Sequence, residues 1–449
     1  MSEPKYTYWL RSGIYSGMQK VAVLLFGIGS VLLLTRSLTK SDMGVWNLFL
    51  LFAGIIEIVR QSLIKNAVIK YINSHGSEEH PGIQSAALAI NVVVTLLIGL
   101  LLAALIFPAS RMLNAPQLSE IIYIFLPGLL LLIPFSHFEW LQNAHADFRG
   151  IFWAYSLRQG LSFFLIVAHL LTVRHIQLVN LIWYYNFGIA GGTVLSFIFA
   201  RKFLHTGMNL TGEWVKKLWH FGKYVFGTNI SSSIFRNTDQ VVVASMVSTS
   251  AVALYGVCVR ISNLVDVPSQ VLGDILFPKS AKMMETGNLE GVKYYYEKAV
   301  GVILALAVPA SLCIMMLPRL VLTIIAGKEY QEAAAILQVT IFYGLFLPFI
   351  KQFGTIMDSI GQPKLNFFVI TFTAVFNIGS CITLSHFFGI MGAAYGSMLS
   401  YAVCLAITQT ILIRKLKINP VNIWKYMFRF YPEMYRIFRQ RFILKPGTK

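Results

Sequence analysis

Apolar runs fill this chain almost end to end, and short polar stretches separate them. A hydrocarbon core about 30 Å thick needs roughly 20 helical residues. Twelve segments meet that length, near 12–35, 43–64, 83–107, 119–140, 151–173, 177–200, 221–246, 252–277, 299–317, 333–356, 365–388 and 391–413. Helices satisfy their own backbone hydrogen bonds in lipid, so the pattern predicts an all-α polytopic membrane protein with twelve transmembrane helices. The charged loop from Arg201 to Lys217 divides these spans six and six. The expected domains are therefore 1–205 and 206–413, each a six-helix lobe, and a tail over 414–449. Six crossings return the chain to its starting side, so two such lobes are related by a pseudo-two-fold along the membrane normal. A faint echo supports the repeat: Leu38 to Trp46 links spans one and two, Val247 to Tyr255 links spans seven and eight, and Gly13 and Tyr15 align with Gly222 and Tyr224 at the same offset.

Charge changes the picture by fixing orientation. Only 12% of the residues are charged, yet the net charge is +18. Lys and Arg concentrate in cytoplasmic loops, and here they gather on the side that holds both termini, which predicts cytoplasmic termini. The excess then reflects topology and attraction to anionic membrane lipids, with no nucleic-acid partner. Its densest part is the stretch from Arg414 to Lys449, where ten basic residues stand against Glu433 alone and alternate with Trp424, Tyr426, Phe428, Tyr431, Tyr435 and Phe438. Such a segment is expected as an amphipathic helix on the membrane surface. The apolar start runs to Thr35 without a signal-peptidase pattern, so it is read as an uncleaved span. Cys258, Cys313, Cys381 and Cys404 all fall in apolar spans without paired spacing, and the histidines are scattered, so neither disulfides, a metal nor a cofactor is expected. There is no Gly-rich phosphate loop, no triad pattern and no extramembrane carboxylate pair, which argues against an enzyme.

Ionisable side chains at mid-membrane cost about 2.5–3.5 kcal/mol and so face protein or a wet cavity. In span seven, Asn229, Ser232, Ser233, Arg236 and Gln240 fall within a sector of roughly 100°, with Asp239 beside it. In span eight, Arg260, Asn263, Gln270 and Asp274 share a face and Asp266 lies just outside it. Lys20 clusters with Ser16 and Gln19 in span one, and Glu57, Arg60 and Gln61 sit one turn apart in span two. The spacing allows Lys20, Arg60, Arg236 and Arg260 to line a hydrated cavity that holds phosphate, since a guanidinium presents a fixed fork of donors. It equally allows closed pairs, Glu57 with Arg60 and Arg236 with Asp239, at i, i+3.

The stretch LLLTRSLTKSDMGVWNLFL, with Arg36, Leu38, Gly44 and Trp46, resembles the first connection of the polysaccharide-export branch of the multidrug, oligosaccharidyl-lipid and polysaccharide exporter superfamily. FGKYVFGTNISSSIFRNTDQVVVASMVSTSAVALYGV, including Asp239 and Tyr255, resembles the seventh-span region of that branch. LFPKSAKM, IAGKEYQEAAAILQV and MDSIGQPK resemble its later segments. The resemblance implies a Wzx-like flippase that moves undecaprenyl-diphosphate-linked oligosaccharide across a bacterial plasma membrane by alternating access. Outward release is expected to draw on H+ or Na+ binding at Glu57, Asp239, Asp266 or Asp274, and polysaccharide polymerase and glycosyltransferases are expected as partners. The superfamily's cation-coupled multidrug antiporters are the alternative; they commonly carry an acid in the first span, which span one lacks.

Overall fold

The computed structural model describes residues 5–173, 175–205 and 209–438. Its elements are α1 (Lys5–Ser37), α2 (Lys40–Ser74), α3 (His80–Met112), α4 (Gln117–Ala144), α5 (Phe148–Val173), α6 (Leu178–Ala200), α7 (Gly212–Met246), α8 (Thr249–Val265), α9 (Val267–Glu285), α10 (Leu289–Met316), α11 (Pro318–Ile325), α12 (Ala334–Gly344), α13 (Leu347–Ser359), α14 (Pro363–Leu416) and α15 (Pro420–Phe438). Two short 3-10 turns, Arg201–Phe203 and Lys328–Ala333, complete the helical elements of the described chain. The outward side chains of α3 show its solvent: Leu96, Leu97, Leu100, Leu101 and Leu105 are all exposed, as lipid-facing residues should be. All four cysteines are free.

Nine segments of the described chain, rather than the expected twelve, are by themselves long and apolar enough to span a membrane. One of the nine, α14, contains two of the expected spans. Gly389 breaks it, with φ 56° and ψ −133°, values that only glycine adopts freely. The two arms fold back on each other as a hairpin. A Cβ on Gly392 would lie 2.0 Å from the Leu384 carbonyl, and one on Gly396 would lie 2.7 Å from the Cys381 backbone. The expected spans 221–246 and 252–277 fall outside the nine. The first lies in α7, whose polar residues dilute its hydropathy. The second is cut at Asp266 into α8, only 17 residues long, and α9. The cause of that cut is Pro268, which lacks the N–H that the Leu264 carbonyl would accept from. A single helical projection over Arg260, Asn263, Gln270 and Asp274 assumes an unbroken axis, and the chain interrupts that axis after Val265. The side chains of Gln270 and Asp274 lie outside the described residues.

The chain packs as two units. The first comprises residues 1–233, 247–253 and 325–327, and is built on α1 to α6. Its core gathers Leu63, Ile64, Ala67, Trp140, Leu141 and Trp214. Gly44, one of the residues that carry the family resemblance, admits the Thr249 carbonyl so closely that a Cβ would sit 1.8 Å from it. Gly222 receives the Leu63 carbonyl in the same way. The second unit comprises 234–246, 254–324 and 328–449, with Tyr296, Val300, Phe353, Ile356 and Leu412 in its core.

Candidate functional site

Each unit buries its own polar cluster, and apolar helices supply the walls. In the first unit α2 projects Glu57, Arg60, Gln61 and Lys65 from successive turns. The Glu57 carboxylate pairs with Arg158 of α5 at 2.5 Å and not with Arg60. Arg158 is 2% exposed, donates to the Tyr185 hydroxyl at 3.2 Å and lies over the rings of Phe135, Tyr155 and Tyr185. Arg60 is 1% exposed; its Nε donates to Thr95 Oγ1 and its Nη2 to Asn91 Oδ1, both at 2.8 Å. In this conformation Arg60 is enclosed by neutral partners from α3. Glu139 of α4, also buried, accepts from Lys65 Nζ at 2.7 Å and from the Tyr155 hydroxyl at 2.9 Å. The cluster thus holds two carboxylates among three cations, Arg60, Lys65 and Arg158. Asn229 lies in this unit as well, donating to Ser62 Oγ at 2.9 Å. Lys20 of α1 is exposed.

In the second unit Asp239 is 3% exposed and has no salt bridge to Arg236. Its carboxylate accepts from the Tyr255 hydroxyl at 2.8 Å, from Ser397 Oγ at 3.3 Å and from the Gln240 backbone N–H at 2.8 Å. Three neutral donors therefore satisfy a buried carboxylate, with the stacked rings of Tyr343 and Tyr401 in the same unit. Gln240 is buried, whereas Arg236 and Asn263 are exposed and Arg260 is half-buried.

The second unit also joins two broken helices. Pro268 follows the break between α8 and α9, and Pro348 follows the break between α12 and α13. At these breaks Lys351 of α13 forms an ion pair with Asp266, the buried residue at the α8–α9 junction. One turn further, Gln352 Nε2 donates to the Ser269 carbonyl at 2.9 Å. Arg236 lies near enough to Lys351 to repel its charge. Interrupted helices in membranes leave backbone groups and partial charges where ions and polar ligands bind.

Lys351, Glu139, Lys65 and Arg158 were outside the set expected from sequence. Arg158 and Lys351 are each the single Asp, Glu, Lys or Arg of their expected spans, and that isolation was the available signal; Lys65 and Glu139 share their helices with other charges and carried no such mark. Pro268 and Pro348, mid-span prolines in corresponding positions of neighbouring helices, pointed to the same place.

A family model described as polysaccharide biosynthesis protein matches residues 33–335. An uncharacterised membrane protein of Methanocaldococcus jannaschii is 23% identical over 398 residues, covering 83% of this chain and 77% of that protein. The probable low-salt glycan biosynthesis flippase Agl15 of Haloferax volcanii is 21% identical, over 42% of this chain and 40% of its own length. The lipopolysaccharide biosynthesis protein WzxC of Escherichia coli is 18% identical, over 91% and 80%. Among solved structures, the lipid II flippase MurJ in an inward closed conformation superposes with a TM-score of 0.75 at 13% identity, over 96% of this chain and 93% of MurJ. An inward-facing multidrug resistance MATE family transporter does so with a TM-score of 0.75 at 15% identity, over 88% and 95%. The fold is thus that of a multi-pass membrane transporter, and of these relatives Agl15 and MurJ carry the description of flippase and the MATE protein that of transporter.

Proposed function

The chain belongs to the polysaccharide biosynthesis protein family, and from that premise we propose that it is a flippase for lipid-linked oligosaccharide, working by alternating access. A diphosphate head group faces a large solvation barrier in hydrocarbon, and fixed cations and dipoles lower it by standing in for water. Arg236 and Arg260 hold the diphosphate. Lys351 joins them by leaving Asp266, so the site gains a cation as the anion enters. Lys20 adds an exposed cation in the first unit. Arg60, fixed by Asn91 and Thr95, contributes long-range positive potential within its own unit. Asn229, Gln240, Asn263 and Gln270 offer hydrogen bonds to the sugars. No bond is made or broken in the substrate. Release follows when Asp266 reclaims Lys351, and proton or sodium binding at Asp239, Asp266, Asp274 or Glu57 biases that exchange. The carrier lipid is a polyprenol such as undecaprenol, the membrane a bacterial plasma membrane with both termini cytoplasmic, and the product is passed to a polysaccharide polymerase.

The observation that carries this reading is the Asp266–Lys351 pair at the meeting of two broken helices, beside the exposed Arg236. The test is reconstitution with a fluorescent undecaprenyl-diphosphate oligosaccharide, read by enzymatic access to the sugar on the outer leaflet. Wild type is expected to move it between leaflets, and Arg236→Ala with Arg260→Ala to abolish movement. Unchanged movement by that double variant removes the cation role.

A second reading, a cation-coupled multidrug antiporter, draws on the likeness to the MATE transporter and on the buried carboxylate of Asp239. Drug efflux driven by an ion gradient, with no lipid movement, would favour it.

A further inference from the structure

The terminal helix α15 has three distinct faces, and two of them carry mostly exposed side chains. At 100° per residue, Asn422, Ile423, Tyr426, Met427 and Phe430 fall in one sector of about 140°. Ile423 and Met427 on that face are buried in the core of the second unit. The face meets α10 at Gly301, where a Cβ would lie 2.7 Å from Tyr426 Cβ and 2.8 Å from the Ile423 carbonyl. Two polar clamps fix it. The Glu297 carboxylate accepts the Asn419 N–H at 2.8 Å and Asn422 Nδ2 at 3.0 Å, and the Tyr431 hydroxyl donates to the Ala305 carbonyl at 2.7 Å.

The second face, a sector of about 80°, carries Tyr431, Trp424, Tyr435, Phe428 and Val421. They are 44%, 48%, 64%, 64% and 57% exposed. The third, some 40° wide, carries Lys425, Arg436 and Arg429, all exposed. Three observations say what lies against these faces. Trp and Tyr side by side with Phe and Val is the composition of the zone between headgroups and acyl chains. A row of three cations along its edge complements a surface of negative charge. The clamps meet α10 between Glu297 and Ala305, where its sequence passes from the polar YYYEK to the apolar AVGVILALAV, so α15 is pinned at the depth where lipid headgroups begin. Pro432 fits the same setting, since the Phe428 carbonyl that it leaves without a helical donor can accept from interfacial water.

We propose that α15 is an anionic-lipid-binding helix: its aromatic face inserts at the acyl boundary of the adjoining leaflet, while Lys425, Arg429 and Arg436 bind the phosphates of anionic phospholipid. The clamps on α10 make the bound leaflet part of the second unit's support. This holds whatever the protein carries.

The test uses full-length protein with Cys313→Ser, which removes the exposed thiol, and a spin label at Phe428→Cys. The protein is placed in nanodiscs of phosphatidylcholine alone or with phosphatidylglycerol. Relaxation by oxygen against relaxation by a water-soluble nickel chelate reads the label's depth. The label is expected to be oxygen-accessible and nickel-protected with phosphatidylglycerol, and less protected without it. Changing Lys425, Arg429 and Arg436 together to Gln should abolish the phosphatidylglycerol dependence while amide exchange across the buried Ile423 and Met427 stays slow. Equal nickel access in both lipids overturns the proposal. So does protection that disappears as the protein-to-lipid ratio falls, which would assign the aromatic face to a second copy of the chain.

Discussion

Neutralising Glu57 isolates a buried cation, and the structure sets what that should cost. In Glu57→Gln, Arg158 stays buried with neutral acceptors only, the Tyr185 hydroxyl and the new amide oxygen, and three aromatic rings around it. Breaking a buried pair from one side costs about 3–5 kcal/mol. Glu57 is 28% exposed and so only partly enclosed, and the low end, about 3 kcal/mol, applies. The ring faces return about 1 kcal/mol, leaving a net loss of about 2 kcal/mol and a fall in melting temperature of about 4–8 °C for a unit of this size. Arg158→Met removes the cation at similar volume and leaves a carboxylate that water can reach. The double variant Glu57→Gln with Arg158→Met should therefore be more stable than Glu57→Gln alone, with a coupling of about 1.5 kcal/mol. Thermal unfolding of detergent-purified protein, followed by monodispersity, measures all four corners of the cycle. Additivity within about 0.5 kcal/mol would show that the two groups do not act as a pair, and the reasoning on this cluster would fail.

Glu297→Ala leaves the Asn419 N–H and the Asn422 amide without their acceptor, at about 1–3 kcal/mol; amide exchange over residues 420–438 should quicken while that of the α14 core does not. Gly222→Val and Gly44→Val each drive side-chain atoms into a carbonyl 1.8 Å from the Cβ position; loss of monodisperse protein is expected, by about 3 kcal/mol or more for overpacking that cannot relax, and full yield of either variant would contradict these contacts. N-ethylmaleimide should label the native protein at most once, at Cys313, because Cys258, Cys381 and Cys404 are buried; mass spectrometry showing two or more rapid additions would refute that burial. Lys351→Ala should leave Asp266 buried with its cation gone; Lys351→Ala with Asp266→Ala should recover stability but not transport, whereas recovery of transport would remove Lys351 from the substrate path.

The membrane was written in the chain, because lipid demands about 20 apolar residues per crossing and that demand is linear along the sequence. The hairpin in α14 was legible for the same reason: two apolar spans flank Gly389. The family was legible in local motifs, and Gly44 shows why one of them exists, since a carbonyl occupies the space a side chain would fill. What sequence could not decide was partnership. Glu57 and Arg60 have ideal pairing spacing on one helix, yet Glu57 reaches Arg158 on another, a hundred residues away, because a bundle brings α2 and α5 closer in charge than one turn brings neighbours. Asp239 likewise bypasses Arg236 for hydroxyls on α8 and α14. The single span read over 252–277 differs for a related reason: a helical projection assumes an unbroken axis, and the chain is interrupted at Asp266, two residues before Pro268. Length and hydropathy add up residue by residue and can be read in order; which buried charge meets which depends on distances across the bundle, and only the tertiary structure sets those.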